Sequence, residues 1–174
     1  MKFGNKSTLV LLLSILFVFS CDDYCEMTDY ESYLPLKIGN TWYYGDSDVW
    51  EVIGKQILDG EEYFDIKSEW KDGVIRHYFY RFDDSKLYKY FDYDSIEVLF
   101  ADFSLKENDM FEQIKLGYEV TVWNDNPNEF ELFYDIPEGA DEEFTVKFRS
   151  GVGIIQECSL MWGCLNVLTD FDLK

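Results

Sequence analysis

Two Asp-Gly pairs, Asp59-Gly60 and Asp72-Gly73, constrain the fold of this chain more than any other feature. Each pair stands between segments in which apolar and polar residues alternate. Asp-Gly in that setting is the strongest short-range signal for a β-hairpin, because both turn residues tolerate a positive φ. Two such turns so close together predict three consecutive antiparallel strands.

Two-residue turns at both positions would also fix how the second and third of these strands pair. The expected cross-strand pairs are Trp70 with Ile75, Ile66 with Phe79, Glu69 with Arg76, His77 with Ser68, and Arg81 with Phe64. This register places Ile66 and Phe79 on one face and the Glu69–Arg76 ion pair on the other, as a half-buried sheet requires.

Alternation of the same kind continues through the rest of the chain. It favours strands at residues 86–93, 95–103, 118–123, 129–136 and 144–149, and a last hairpin across residues 159–163. After Cys21 no segment keeps apolar residues at helical spacing for three turns, so helix is limited to a short turn near Leu105 to Met110. We predict a single all-β domain, an antiparallel up-and-down meander of about nine or ten strands forming a strongly curved sheet, a barrel or a sandwich.

The N-terminal segment has a different character. Lys2 and Lys6 precede an apolar run from Leu9 to Phe19, and the run ends at Ser20-Cys21. This arrangement is typical of a secretory signal peptide. The run has about half of the roughly 20 residues that a helix needs to cross a bilayer, so a permanent membrane span is not expected.

The residues Val18-Phe19-Ser20-Cys21 resemble the lipobox of bacterial lipoproteins. The resemblance implies removal of residues 1–20 and addition of acyl groups such as palmitate to Cys21, the first residue of the mature chain. Two or more acyl chains give a stable membrane anchor. Cleavage nearby without lipidation, as in an ordinary secreted protein, is the alternative.

Residues 21–32 are then expected to be a lipid anchor and acidic tether, and residues 33–174 the all-β domain. The segment Leu34–Tyr44 contains the pattern P-L-x-x-G-N-x-W, and Gly151-Val152-Gly153 follows late in the chain. Both resemble segments of uncharacterised envelope lipoproteins of the Bacteroidota. The resemblance implies an outer-membrane lipoprotein, surface-facing or periplasmic, and implies no activity.

A second resemblance concerns the lipocalins, which begin with G-x-W and later have T-D-[FY]. Here Gly39-Asn40-Thr41-Trp42 has one residue more, and Thr169-Asp170-Phe171 lies at the end of the chain. The implied alternative is a lipocalin-like carrier of an apolar small molecule.

Charge restricts the partners of the mature chain. The signal peptide holds two of the 15 basic residues and none of the 35 acidic ones, which leaves a formal charge of about −22. A surface this acidic repels nucleic acid and anionic headgroups, so membrane attachment depends on the acyl chains of Cys21. Aromatic residues make up 19% of the chain, a composition that indicates a folded body and not an acidic disordered segment.

The remaining cysteines divide by position. Cys158 and Cys164 are close enough to form a disulfide across one hairpin, which is typical of exported proteins. Two reduced cysteines facing each other across the strand pair are the alternative. Cys25, in the tether, is left free or pairs between molecules.

Candidate catalytic residues are few. His77 is the only histidine, so neither a histidine-based triad nor a multi-histidine metal site is expected. We predict no metal, no cofactor and no catalysis. Paired carboxylates acting on a sugar stay open as an alternative, because that chemistry needs only two acids at a suitable separation.

Aromatic side chains are the remaining candidates for ligand recognition. Those on aromatic-rich strands with the potential to stack on a ligand are Trp50, Tyr78, Tyr80, Tyr88 and Tyr90. The competing interpretation places them in the core. The expected function is that of a lipid-anchored envelope lipoprotein with a non-catalytic binding or structural role, with a glycan or protein partner; glycan binding or cleavage and the lipocalin-like carrier are the alternatives.

Overall fold

Twelve antiparallel strands form one continuous sheet in the computed structural model, which describes residues 30–45, 48–126, 128–137, 139 and 142–174. The strands are β1 Thr41–Tyr44, β2 Asp48–Leu58, β3 Glu61–Glu69, β4 Ile75–Asp83, β5 Lys86–Phe91, β6 Ile96–Asp102, β7 Met110–Gln113, β8 Tyr118–Asn126, β9 Glu129–Asp135, β10 Phe144–Arg149, β11 Gly153–Ser159 and β12 Gly163–Asp172. The predicted signal peptide, Cys21, Cys25 and the tether as far as Asp29 lie outside the described residues.

The all-β antiparallel meander is confirmed, but the predicted number of strands is too low. Twelve strands are present among the described residues where nine or ten were expected. Short strands account for part of the difference. In β7, for example, only Gln113 of the four residues is fully buried, so no apolar alternation marks this strand in the sequence.

The order of the strands nearly closes the sheet into a barrel. Strands that are neighbours in sequence pair with each other, except for β6 and β7, and β1 also pairs with β12 and so joins the two halves of the chain. The two edge strands, β6 and β7, face each other without a hydrogen-bonded ladder. Across this seam the Gln113 side-chain amide donates a 2.7 Å hydrogen bond to the backbone carbonyl of Leu99.

The two Asp-Gly turns differ in length. The β2–β3 turn has two residues, as predicted, with Asp59 at φ 50° and Gly60 at φ 91° between the paired residues Leu58 and Glu61. In the β3–β4 turn, the amide of Trp70 donates to Val74 O and the amide of Gly73 donates to Trp70 O. Gly73 has φ 80°, which makes this a three-residue turn with a glycine bulge.

The extra residue makes the predicted β3–β4 register wrong by one position. The observed pairs are Phe64 with Tyr80, Asp65 with Phe79, Ile66 with Tyr78, Lys67 with His77, Ser68 with Arg76, and Glu69 with Ile75. Because side chains alternate between faces, a shift of one residue exchanges the faces of β4. Tyr78 and Tyr80 therefore lie inside with Ile66, whereas His77 and Phe79 lie on the outer face.

Apolar side chains from both halves of the sheet fill its interior. The alternation predicted for β9 is confirmed, since Phe130, Leu132 and Tyr134 are all buried. The buried cluster also includes Trp42, Tyr44, Trp50, Val52, Ile66, Tyr80, Leu87, Phe100, Val120, Val122, Val146, Phe148 and Ile154. A packed core of this kind removes most of the central space of the barrel.

One end of the barrel is covered by the segment before β1. A 3-10 helix, Glu31–Tyr33, places the Tyr33 ring 4.8 Å from that of Phe103 and leads into the buried Leu34. The amide of Gly151 donates a 2.8 Å hydrogen bond to Ser32 O in the same region. The only helical turn of the described chain is therefore here, whereas the predicted helical turn near Leu105 to Met110 is not formed, because residues 105–109 are loop and turn and Met110 begins β7. We call this end the closed end.

Candidate functional site

The opposite end of the barrel is open and forms what we call the mouth. Because the strands alternate in direction, the ends of β5, β9 and β11 and the starts of β6, β8 and β10 meet there. A cavity of about 280 Å³ lies between them. Its aromatic lining consists of Phe91, Tyr93, Phe100, Tyr118, Tyr134 and Phe144.

A second space opens beside the mouth where β4 and β5 separate. The first pair of their ladder is Phe79 with Tyr90, and the residues nearer the mouth are not paired. The resulting groove has a volume of about 440 Å³. The cavity and the groove share Lys89, Phe91 and Tyr93, so these residues are accessible from both spaces.

Lys89 is the charged residue at the centre of this region. Lys89 lies on β5, and its cross-strand partners are Tyr80 on β4 and Val98 on β6. Both of these side chains are buried inside the barrel. The alternation of β5 therefore turns Lys89 inward. Four aromatic rings surround its ammonium nitrogen. The distances to the ring centres are 5.1 Å for Tyr78, 5.5 Å for Tyr80, 5.2 Å for Phe91 and 5.2 Å for Phe100. Such distances give attractive cation–π contacts.

The ammonium group of Lys89 has no carboxylate partner within 4.0 Å among the described residues. Burial lowers the pKa of Lys89, and the negative charge of Glu157 opposes this effect without cancelling it. Glu157 pairs with the buried Val146 across β10 and β11, so it shares the inner face of the sheet. The Asn166 side-chain amide donates a 2.5 Å hydrogen bond to Glu157 Oε2.

Three buried tyrosine hydroxyls lie inside the barrel near these charges. The hydroxyl of Tyr44 donates to Ile154 O at 2.8 Å, and that of Tyr134 donates to Phe100 O at 2.5 Å. The hydroxyl of Tyr80 has no hydrogen-bond partner among the described residues. Burial raises the pKa of all three hydroxyls well above the ordinary value, and the negative charge of Glu157 makes a smaller contribution in the same direction. They are therefore neutral hydroxyls at physiological pH.

The five aromatic residues proposed for ligand stacking do not form one surface. Trp50 is buried, with Nε1 donating a 2.9 Å hydrogen bond to Asp48, and its ring centre is 4.8 Å from that of Tyr78. Tyr80 is also inside. Tyr88 and Tyr90 lie on the outer face, because they alternate with Lys89 along β5.

The two outer tyrosines have structural partners. The guanidinium of Arg81 lies 4.4 Å from the ring centre of Tyr88. Tyr90 is buried in a small outer cluster with Tyr63 and Phe79, and its hydroxyl donates a 3.0 Å hydrogen bond to Asp59. Of the five, Tyr78 and Tyr90 reach the groove, from opposite faces of the sheet.

Sequence reasoning missed the two charged residues of the mouth. Lys89 had a detectable signal, because it occurs in phase with the apolar residues Leu87 and Phe91 and so occupies an inward position. Glu157 had none. The β10–β11 ladder shifts register between Lys147 and Phe148, so Glu157 faces inward only three residues after the inward Ile154, and such irregularities cannot be located from alternation alone.

The last hairpin of the chain borders the mouth. Cys158 and Cys164 are joined by a disulfide, and they are also cross-strand partners on β11 and β12. The loop between them carries the exposed side chains of Leu160, Met161 and Trp162. The disulfide fixes the end of β11, the strand that carries Glu157.

His77 lies away from the mouth cavity, on the outer face. Its Nδ1 is 2.7 Å from Oδ1 of the buried Asp65, which also accepts a 2.8 Å hydrogen bond from Gln56. Among the described residues, no three His, Cys, Asp or Glu side chains converge as metal ligands would.

No protein-family model, curated protein or solved structure matches this chain. What the mouth can bind must therefore follow from its own side chains. In the part of the chain that the structure describes, no helix is both long and apolar enough to cross a bilayer.

Proposed function

We propose that this protein is a lipid-anchored envelope lipoprotein that binds a small molecule at the mouth of its barrel and catalyses no reaction. The observation that carries the proposal is the position of Lys89, an ammonium group in an opening lined by aromatic rings, with no carboxylate within 4.0 Å among the described residues. Openings that combine apolar walls with few convergent polar groups are typical of small-molecule sites.

The anchor and the mouth are at opposite ends of the domain in this proposal. The chain enters the described fold at Tyr30 and runs along the closed end, where Tyr33 and Leu34 are buried. The tether from Cys21 to Tyr30 spans at most about 30 Å when extended. Acylated Cys21 would hold the closed end toward the membrane, and a ligand would reach the mouth from the side facing away.

The alternatives have less support from the same geometry. A lipocalin-like carrier needs a deep apolar cavity, whereas here the core is packed and the 280 Å³ cavity is at the mouth. Glycan cleavage needs two facing carboxylates, and Glu157 is the only carboxylate among the described residues that line this cavity. Glycan binding is the better of the two glycan hypotheses, because the exposed Tyr93 ring offers a stacking surface.

Lipid anchoring is tested by comparing Cys21→Ser with Cys25→Ser, a matched change four residues along the tether. We expect the wild type and the Cys25→Ser variant to be acylated and to sediment with membranes. The Cys21→Ser variant should lack acyl groups by mass spectrometry and leave the membrane fraction. Membrane retention of unacylated Cys21→Ser would refute the proposed anchor.

Binding at the mouth is tested by nuclear magnetic resonance of the isotope-labelled protein with four probe classes: flat aromatic fragments, aromatic carboxylates, long-chain fatty acids and monosaccharides. We expect aromatic fragments to shift the signals of Phe91, Phe100 and Tyr134. Shifts from fatty acids alone would favour the lipocalin-like carrier, and shifts from sugars alone would favour glycan binding. Absence of shifts at these residues with every probe would refute a binding role for the mouth.

A further inference from the structure

We infer that the mouth recognises an organic monoanion: a flat, largely apolar molecule with one carboxylate that pairs with Lys89. This inference rests on the proposed binding function and adds the chemical class of the ligand to it. It is carried by the contacts of the Lys89 ammonium group and by the charge balance around the cavity.

The ammonium group of Lys89 needs hydrogen-bond acceptors. An ammonium group has three donors, and the four rings around it offer faces that attract the charge without acting as conventional acceptors. A charge that is partly removed from water is costly unless it is paired. Because no described carboxylate is within 4.0 Å, a bound carboxylate is the group that would complete this site.

The charges around the cavity limit the number of negative charges that a ligand can carry. Glu157 lines the same cavity, and the chain as a whole has a formal net charge of −20. Both repel an anion, and the repulsion increases with each added negative charge. Among the described residues Lys89 is the only cation that lines the cavity, and in the adjoining groove the positive charge of Arg76 is matched by the negative charge of Asp92. Lys89 therefore compensates a single carboxylate but not a polyanion such as a nucleotide or an oligophosphate. The site therefore favours a monoanion.

The aromatic walls of the cavity and the groove favour a flat ligand. The rings of Phe91 and Tyr93 line both the cavity and the groove. Phe100 and Tyr134 line only the cavity and are buried. Aromatic faces prefer offset stacking or edge contacts with other rings. With about 280 Å³ in the cavity and 440 Å³ in the adjoining groove, a ligand of one or two fused rings fits the available space.

A matched control residue lies on the same strand. Lys86 is exposed on the outer face of β5 and pairs with Asp83 and Asp102 across the neighbouring strands. Replacing either lysine with methionine removes one positive charge from β5. Only the change at Lys89 removes it from the mouth.

The test is isothermal titration calorimetry of the purified full chain with 2-naphthoate and with its neutral isostere 2-naphthamide. We expect the wild type and Lys86→Met to bind naphthoate at least about tenfold more tightly than naphthamide, because a charge-assisted pair forms only with the carboxylate. Lys89→Met should bind both probes equally, and its circular dichroism spectrum should show that it is folded. Lys89→Arg should retain the preference for naphthoate.

A second variant keeps the inference testable if Lys89→Met does not fold. Glu157→Gln removes the repelling carboxylate, so its preference for naphthoate over naphthamide should be larger than that of the wild type. Equal affinity of the wild type for both probes would overturn the monoanion and leave the binding function standing. Failure of both probes to bind would overturn the inference, and absence of every probe's shifts at the mouth would remove the binding function as well. Persistence of the preference in Lys89→Met would also overturn it.

Discussion

The indole nitrogen of Trp42 donates a hydrogen bond to the backbone carbonyl of Val152, with a nitrogen–oxygen distance of 2.5 Å. This contact joins the P-L-x-x-G-N-x-W segment to Gly151-Val152-Gly153. In the first segment the buried Asn40 side chain donates a 2.7 Å hydrogen bond to Pro35 O and accepts one from the amide of Lys174. Both segments therefore stabilise the barrel and lie outside the mouth.

Gly153, next to Val152, should be the glycine at this contact that is most sensitive to substitution. It has φ +120°, and an added Cβ would lie 2.8 Å from Trp42 Nε1. We expect Gly153→Ala to lower the free energy of unfolding by about 2 kcal/mol or more, since backbone strain and overpacking act together. Urea denaturation measures the effect. Gly54→Ala is the control, because its added Cβ has no atom within 4 Å. This variant should change the free energy of unfolding by less than about 0.5 kcal/mol. Similar losses of stability in both variants would contradict the role of the Trp42–Val152 contact.

The seam between β6 and β7 provides a second prediction. Gln113 is buried and its amide satisfies the carbonyl of Leu99 on the facing edge strand. We expect Gln113→Leu to lower the free energy of unfolding by about 1–2 kcal/mol, because it leaves that carbonyl unsatisfied. Hydrogen exchange should be faster at the β6 and β7 edges in this variant. Glu112→Gln, at the exposed neighbouring position, should leave exchange there unchanged; faster exchange in both variants would argue against a seam held by Gln113.

An ion pair on the outer face links β4 to β6. Arg81 donates two hydrogen bonds to Glu97, at 2.7 and 2.9 Å, and the Tyr63 hydroxyl donates another. Burial by itself would raise the pKa of Glu97, but these donors and the charge of Arg81 outweigh it, so the pKa is lowered from 4.5. Burial and the hydrogen bond to Glu97 raise the pKa of Tyr63 to about 12, so it stays a donor at neutral pH.

The lowered pKa of Glu97 predicts a pH-dependent contribution to stability. The unfolded state binds this proton more readily, so the contribution is present above about pH 4.5 and is lost as the pH falls through the lowered pKa. We expect Glu97→Gln to be about 1–2 kcal/mol less stable than the wild type at pH 7 and equally stable near pH 2. Glu62→Gln, in an exposed pair with Lys55, should cost little at either pH. A constant difference between Glu97→Gln and wild type across this range would contradict the assignment.

Lys89 should cost stability in the absence of ligand. Burial lowers its pKa, so the folded state disfavours the charged form relative to the unfolded chain. We expect Lys89→Met to be about 1 kcal/mol more stable than the wild type at pH 7. The penalty is fully present below the lowered pKa and disappears as the pH rises toward 10.5, where unfolded lysine also loses its charge. Thermal unfolding at pH 7 and pH 10.5 measures the stability difference between the wild type and Lys89→Met, with Lys86→Met as the control. A wild type that is more stable than Lys89→Met at pH 7 would refute the predicted penalty.

Local sequence predicted the strands well because alternation is a local property. In β9, Phe130, Leu132 and Tyr134 face inward as their spacing requires. The Asp59-Gly60 turn also formed as predicted. The Asp72-Gly73 turn did not, since the same dipeptide occurs in two-residue turns and in three-residue turns with a bulge, and the choice between them decides which face of β4 is buried.

By its own pattern, then, the sequence determined an antiparallel meander with inward aromatic residues, because the side-chain period of a strand is set by the backbone. The tertiary structure alone decided that the meander curls until β1 pairs with β12, and that a covering segment occupies one end. It also decided that Lys89 and Glu157, far apart in the chain, share the cavity at the other end. These features depend on pairing between distant strands and on register shifts, which no short window of residues specifies.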